Sequence, residues 1–387
     1  MTLNYIGSKL SLLDFIHFIV DKEIKENISV VGDLFAGTGI VGQSFKRKGY
    51  KIVANDIQYY SFVLNKKFLT NNDFVKFEGL VNEIPNLLNY EKKEKILHVL
   101  NYLNNLKERK KGFIFDNYSL AGTKGKEFER MYFSDENALK IDTIRLKIED
   151  WFRNKKISER EYFYLLGTLI EASDKVANTA SVYGAFLKKL KNSAQKELQL
   201  YYNEIIFGDK ENIVFNDDIL KILNKEKIDL LYLDPPYNAR QYCSNYHMLE
   251  TISKYDNPNI SGKTGLRDYE KQKSKFCSRN KVKEEFEKIV KTTNAKYILL
   301  SYNNEGLMTI KDVQEILSLR GEPKTFIFKY KRFKADKTEN RNHKSDFTYE
   351  YLHFVKCDES RDEIRNKEFP IIEIDSNMLN NQTKLND

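Results

Sequence analysis

The chain has 387 residues, 41% of them apolar, enough hydrophobic sequence for one large domain or two modest ones and too much for a disordered chain. Its 64 basic and 56 acidic side chains leave a net charge of +8, which permits a polyanionic partner without requiring one. Cys243, Cys277 and Cys357 lack metal-ligand or redox spacing, no apolar run approaches the roughly 20 residues of a membrane span, and the start MTLNYIGSKLSLLDFI has no signal-peptide layout, so the expected setting is the cytoplasm, with no membrane partner.

In chain order, residues 28–34 (ISVVGDL) form the first short apolar run, which predicts a buried parallel strand, and AGTG follows it at once. Residues 51–56 (KIVAND) predict a second strand ending in an acid. A long polar stretch then reads as mostly helix, with no β-rich run clearer than 112–115. Within it Ser134 has the position of an N-cap, with Asp135 and Glu136 in the first turn. Ala138, Ile141, Ile144, Ile148 and Trp151 follow at helical spacing, and 159–177 continues in that style; these stripes predict a helical core. Strand-like runs return at 211–215, 228–233, 296–301, 324–331 and 349–356, the last two resembling an antiparallel pair at the far edge. The expectation is an α/β chain with a mixed, seven-stranded sheet. Residues 1–75 and 206–357 would build it, 76–205 would be a mainly helical insert, and 358–387 a polar tail that frays.

Two motifs carry chemistry. In DLFAGTGIVG (33–42) an acid ends a strand and a Gly-rich turn leads into a helix, which lets backbone approach a ligand closely. Asp56 is placed at the end of the second strand, where a carboxylate can accept hydrogen bonds from ribose hydroxyls. Gly37, Gly39 and Gly42 also satisfy GxGxxG, so this loop alone leaves nicotinamide and flavin cofactors open. The second motif is DPPY, 234–237, directly after the apolar run IDLLYL. Two prolines force a rigid extended turn that fixes the Asp234 carboxylate and the Pro235 carbonyl as adjacent acceptors for the two N–H groups of an exocyclic amine. Tyr237 can stack on the base that carries that amine. Such a site suits methyl transfer from a sulfonium to nitrogen, with no metal, covalent nucleophile or strong base.

With NYIGSK at 4–9, the Gly-rich loop, Asp56, FNDDI at 215–219 and DPPY in this order, the chain resembles the Dam-like (D12 class) adenine-N6-specific DNA methyltransferases over about residues 3–357. The resemblance implies a Rossmann-like S-adenosylmethionine-dependent methyltransferase sheet with a reversed seventh strand. It implies S-adenosylmethionine as the methyl donor and double-stranded DNA, with an adenine flipped out, as the substrate. On this reading Tyr5 and Lys9 touch the cofactor, Lys9 near its carboxylate. Asp33, Phe35, Ala36, Gly37, Thr38 and Gly39 bind its methionine part, Asp56 and Ile57 its ribose, and Asp218, favoured over Asp217, its adenine. Asp234, Pro235, Pro236 and Tyr237 form the catalytic loop, and Asp234 also borders the cofactor.

Arg240 and Tyr242, directly after that loop, are expected to grip phosphate or fill the vacated base stack. Basic clusters at 186–196, 263–281 and 330–344 add Lys188, Lys189, Lys273, Lys275, Arg279 and Arg332 as candidate DNA contacts. The insert 76–205 is the expected DNA-recognition part, and its loops at 115–134 and 178–186 mix residues that can read base edges. His247 reads as structural, because the chemistry demands no general base, and Cys243 as a small buried residue. Cytosine N4 is also an exocyclic amine and stays open at this point, as do an RNA or protein-amide substrate and a DNA-binding module without catalysis. No nuclease-like acid cluster is evident, so any cleavage would belong to a separate cognate restriction endonuclease. The expected state is a monomer or a weak dimer.

Overall fold

The computed structural model describes residues 3, 7–331, 347–358, 368–376 and 378–379. The chain divides into two compact units. A helical unit takes residues 1–6, 58–209 and 242–272, and a sheet unit takes 7–57, 210–241 and 273–387.

The strands in chain order are β1 (Val30–Asp33), β2 (Lys51–Asn55), β3 (Ile213–Phe215), β4 (Leu230–Leu233), β5 (Ile260–Ser261), β6 (Leu266–Arg267), β7 (Tyr297–Asn303), β8 (Lys324–Lys331), β9 (Phe347–Lys356) and β10 (Ile371–Ile374). Eight of them form the sheet of the second unit, in the order β10-β8-β9-β7-β4-β1-β2-β3. The short, continuously apolar runs become its centre: β4 and β7 are buried at every residue, as strands covered on both faces must be. Neighbours from β3 to β7 run parallel, while β9 runs antiparallel to both β7 and β8. This is the Rossmann-like methyltransferase sheet with one reversed strand. Among the described residues its strand count is eight rather than the expected seven. The added strand, β10, pairs in parallel with β8 inside the segment expected to fray, where Ile371, Ile372 and Ile374 give a β-branched run that the polar surroundings mask.

Register decides where the chemistry falls. Asp33 at the end of β1 is level with Ala54 on β2 and Tyr232 on β4. Asp56 and Asp234 each lie two residues further along, so three acids leave the sheet at one edge. The chain steps outward from β1 to β2 and β3, then crosses to β4 on the other side of β1. The exits of β1 and β4 therefore flank the point where strand order reverses, the usual ligand crevice of an open α/β sheet.

The main stretch of the helical unit begins at Gln58, and the unit also includes Tyr242–Gln272, a wider span than 76–205. Its long helices start where their caps dictate. Ser134 accepts a hydrogen bond from the Asn137 amide at the head of Asp135–Arg153, and Ser158 with Glu161 forms a capping box for Glu159–Lys175. Ala138, Ile141, Ile144, Ile148 and Trp151 are all fully buried in its core. Residues 242–272 are bound into this core through polar groups as well: Arg145 donates to the carbonyls of Ile252 and Ser253, and Glu250 accepts from the Tyr60 amide. Residues 112–115 lead into a helix, Phe113–Tyr118, rather than a strand. A two-stranded hairpin, β5–β6, appears where none was expected; Arg130 holds its turn by donating to the carbonyls of Gly262 and Lys263. No described helix is long and apolar enough to cross a membrane.

Candidate active site

The site is built within the sheet unit from four chain segments. At the first, β1 hands over to a turn in which Gly37 (φ 51°) and Gly39 (φ 75°) take the left-handed backbone that side chains resist, and the helix Ile40–Arg47 begins directly after. Asp33, 1% exposed, accepts from the Gly42 amide through Oδ2 (3.2 Å), while its Oδ1 is buried with no hydrogen-bond partner among the described residues. Burial first, and then the negative charge of Asp234, push the Asp33 carboxyl up to about 8, against the pull of the Gly42 amide.

At the second segment, Asp56 follows β2 and its Oδ2 accepts from the Gly37 amide (2.8 Å), so the expected ribose acid also braces the Gly-rich turn. At the third, Asp218 caps the short helix after β3 by accepting from the Leu220 amide (2.9 Å), and Asp217 instead accepts from Lys221. Asn216 donates to the Asp56 carbonyl (2.7 Å), which fixes this element beside Asp56. Asn55, a residue with no motif to flag it, links all three segments. Its Nδ2 donates to the carbonyls of Leu34 (3.3 Å) and Asp217 (3.1 Å), and its Oδ1 accepts from the Asp217 amide (3.2 Å).

The fourth segment is the loop after β4. Pro235 is buried, Pro236 and Tyr237 are half-buried, and the Tyr237 ring meets Tyr302 edge-on at 6.3 Å. Asp234 keeps 18% of its side chain exposed, and its Oδ1 lies 3.2 Å from the Lys9 ammonium. Lys9 is itself buried, and its Nζ also donates to Glu350 Oε1 on β9 at 2.8 Å. Burial alone would lower the pKa of this ammonium, but Asp234 and Glu350 on its two sides hold it well above its usual value. Burial pushes the Asp234 carboxyl up to about 7, with Lys9 opposing and Glu350 adding to the rise.

Of the other sequence-predicted residues, Phe35 is half-buried and packs edge-on against Phe276, while Ala36 is buried and Thr38 and Ile57 are half-buried. Tyr5 and Arg332 lie outside the described residues. After the DPPY loop, Gln241 exchanges hydrogen bonds with the backbone of Ser274, and the Cys277 thiol donates to the Arg240 carbonyl. That brings exposed Arg240 alongside the segment carrying Lys273, Lys275 and Arg279, all exposed; Lys275 is paired with Glu285 at 3.2 Å. Arg267, counted in the same basic cluster, is instead buried in the helical unit on Asp256. Also in the helical unit, Lys188 and Lys189 are exposed, Tyr242 stacks on Tyr246, and His247 is buried on the Tyr183 carbonyl, its pKa lowered to about 4 by burial.

A carboxylate beside a Pro-Pro-Tyr turn, across the sheet's switch point from a Gly-rich turn, can accept hydrogen bonds from an amine, and comparison with known families gives the class of the chain. The profile of the D12 class N6 adenine-specific DNA methyltransferases matches residues 5–316. The chain belongs to this family. Membership gives the activity, transfer of a methyl group to adenine N6 in DNA, and it decides between adenine and the alternatives that the sequence left open. Among relatives, the chain is 44% identical to Type II methyltransferase M.NlaIII of Neisseria lactamica, over 92% of this chain and 99% of that protein. It is 38% identical to Type II methyltransferase M.FokI of Planomicrobium okeanokoites, over 92% of this chain but only 53% of that longer protein. It is 33% identical to Type II methyltransferase M.CviAII of Paramecium bursaria Chlorella virus 1, over 91% and 98% of the two chains.

Proposed function

We propose that this adenine-N6 DNA methyltransferase takes its methyl group from S-adenosylmethionine and acts at a specific duplex sequence, on an adenine swung out of the stack into the DPPY loop. The observation that carries the reading is the placement of Asp234 at the end of β4, one strand from the Gly-rich turn at the end of β1. The residues present suit this donor. Gly37 and Gly39 allow close approach of backbone, and the buried, unpartnered Asp33 Oδ1 suits a cationic amine. Asp56 and Asp218 offer acceptors for the nucleoside, with Phe35, Ala36, Thr38, Ile57, Tyr5 and Lys9 completing the surround. Bound there, S-adenosylmethionine would supply a methyl group activated by its sulfonium, whose S–CH3 bond would break to leave a neutral thioether.

The chain's own part is positioning. Asp234 accepts one N–H of the target amine and the Pro235 carbonyl the other, which turns the nitrogen lone pair out of conjugation with the ring and toward the methyl donor. Pro236 keeps the loop rigid, and Tyr237 stacks on the adenine. As the new N–C bond forms, the amine sheds one proton, which Asp234 receives and passes to solvent through its exposed edge. Arg240, Tyr242, Lys188, Lys189, Lys273, Lys275, Arg279 and Arg332 serve phosphate and stack contacts. The names of the relatives favour a role in restriction-modification. A cognate endonuclease as a separate protein, and a monomer acting on cytoplasmic DNA, complete the reading. Asp234→Ala is the test: labelled-methyl transfer to unmethylated bacterial genomic DNA should be lost while the donor still binds. Transfer near the wild-type rate would remove Asp234 from the chemistry.

A further inference from the structure

Asp234 does not face Lys9 alone. Glu350, 1% exposed on the reversed strand β9, places one oxygen, Oε1, where it accepts both from Lys9 (2.8 Å) and from the Ser301 hydroxyl on β7 (2.6 Å). In the register of β7 and β9, Asn303 is level with Glu350 and Ser301 with Leu352, so Ser301 is the diagonal neighbour that steadies the glutamate. A buried charge of this kind is costly unless it is paired, and a cation between two carboxylates leaves one negative charge over. The shorter bond goes to Glu350 and the longer contact, 3.2 Å, to Asp234.

We propose that Glu350 is a positioning residue for methyl transfer: by taking the stronger share of Lys9, it fixes the ammonium against Asp234 Oδ1 and leaves Asp234 a strong acceptor for the target amine. This rests on the reading of Asp234 as the amine's acceptor. If Lys9 had Asp234 as its sole partner, a close ion pair would drain the carboxylate's basicity and draw it toward Lys9, away from the base. The ionisable groups around Asp234 are Lys9 from the N-terminal segment, Glu350 from β9, Asp33 from the exit of β1, Tyr232 from β4 and Tyr237 from its own loop. Of these, Lys9 pulls the Asp234 pKa down, and the negative charge of Glu350 pushes it up.

The test is the single-turnover rate of methylation of unmethylated genomic DNA against pH, for the full chain and its Glu350→Gln variant. The expected result is a plateau rate lower on the order of 100-fold, as for a misplaced reacting group. The acid limb of the profile should also move to lower pH, because Asp234 loses the charge that raised it and keeps Lys9 to itself. Generalised damage to the fold lowers the plateau without that shift. A wild-type plateau with an unmoved limb makes Glu350 a filler and overturns the proposal. Ser301→Ala, which loosens Glu350 while keeping all three charges, is the second arm. It should slow transfer several-fold with the limb in place, and an unchanged rate counts against the proposal even where the glutamine variant does not fold. An Asp234→Ala enzyme that still transfers methyl sinks the underlying reading instead, so the two failures are told apart.

Discussion

Replacing Asn55 by alanine tests whether the donor site is built by the joint between β1, β2 and the Asp217 segment. The side chain is 2% exposed, and its loss strips a hydrogen bond from the Leu34 carbonyl, the Asp217 carbonyl and the Asp217 amide. At about 1 kcal/mol of net stability per bond, the change should cost about 3 kcal/mol, more if water cannot reach the orphaned groups. Asp217 immediately precedes the Asp218 cap, and Leu34 immediately precedes the Gly-rich turn, so the same loss should reach the ligand surface. Two measurements check this: the urea midpoint by far-ultraviolet dichroism, and calorimetric titration with S-adenosylmethionine. The midpoint should fall by the equivalent of about 3 kcal/mol, and donor affinity should drop about tenfold, which is 1.4 kcal/mol. Affinity for DNA without the donor should hold. A wild-type midpoint with wild-type donor affinity refutes the argument, because it would mean the bonds around Asn55 are replaced by water at no cost.

Asp33 gives a prediction about pH. Its pKa is raised from an ordinary carboxyl value to about 8, so ionising it in the folded chain costs stability, and that cost grows as pH rises between those two values. Asp33→Asn should therefore melt higher than wild type at pH 8–9 and show no gain near pH 4, while binding S-adenosylmethionine more weakly; a gain independent of pH would contradict the assignment. Among the candidate DNA contacts, Arg279→Ala should lower the slope of log affinity against log salt by about 1. Lys275→Ala should lower it by less, because Glu285 already partners that ammonium. Equal slopes for both variants and wild type would take this segment out of the interface.

The motifs that were legible in the sequence are local. DLFAGTG and DPPY each place backbone and acid by their own turn chemistry, and the parallel strands before them announce themselves as short apolar runs. Asn55 and Glu350 carried no such signal. Each acts on groups far away in sequence, Glu350 on Lys9 across 341 positions, and an asparagine at a strand end or a glutamate between aromatic residues looks like ordinary edge composition. Arg267 shows the complementary limit: a basic run such as 263–281 shows charge, but only the fold shows that Asp256 and burial consume it. Strand β10 is hidden because its three isoleucines lie inside a polar segment, and the sheet edge that receives them is set by long-range pairing.

The two units are interleaved along the chain, with the helical one assembled from residues 1–6, 58–209 and 242–272. The chain leaves the sheet unit for the last of those stretches at Tyr242, five positions after the tyrosine of DPPY. No single cut-and-paste cassette therefore corresponds to the helical unit. A chimera that imports only the central stretch from a relative would pair it with a foreign hairpin and a foreign helix at 247–254, whose carbonyls Arg145 has to meet. Recombination that respects these partners has to carry the stretches together, including one shortly downstream of DPPY. Exchange of the helical unit between relatives is thus a matter of three linked stretches rather than one.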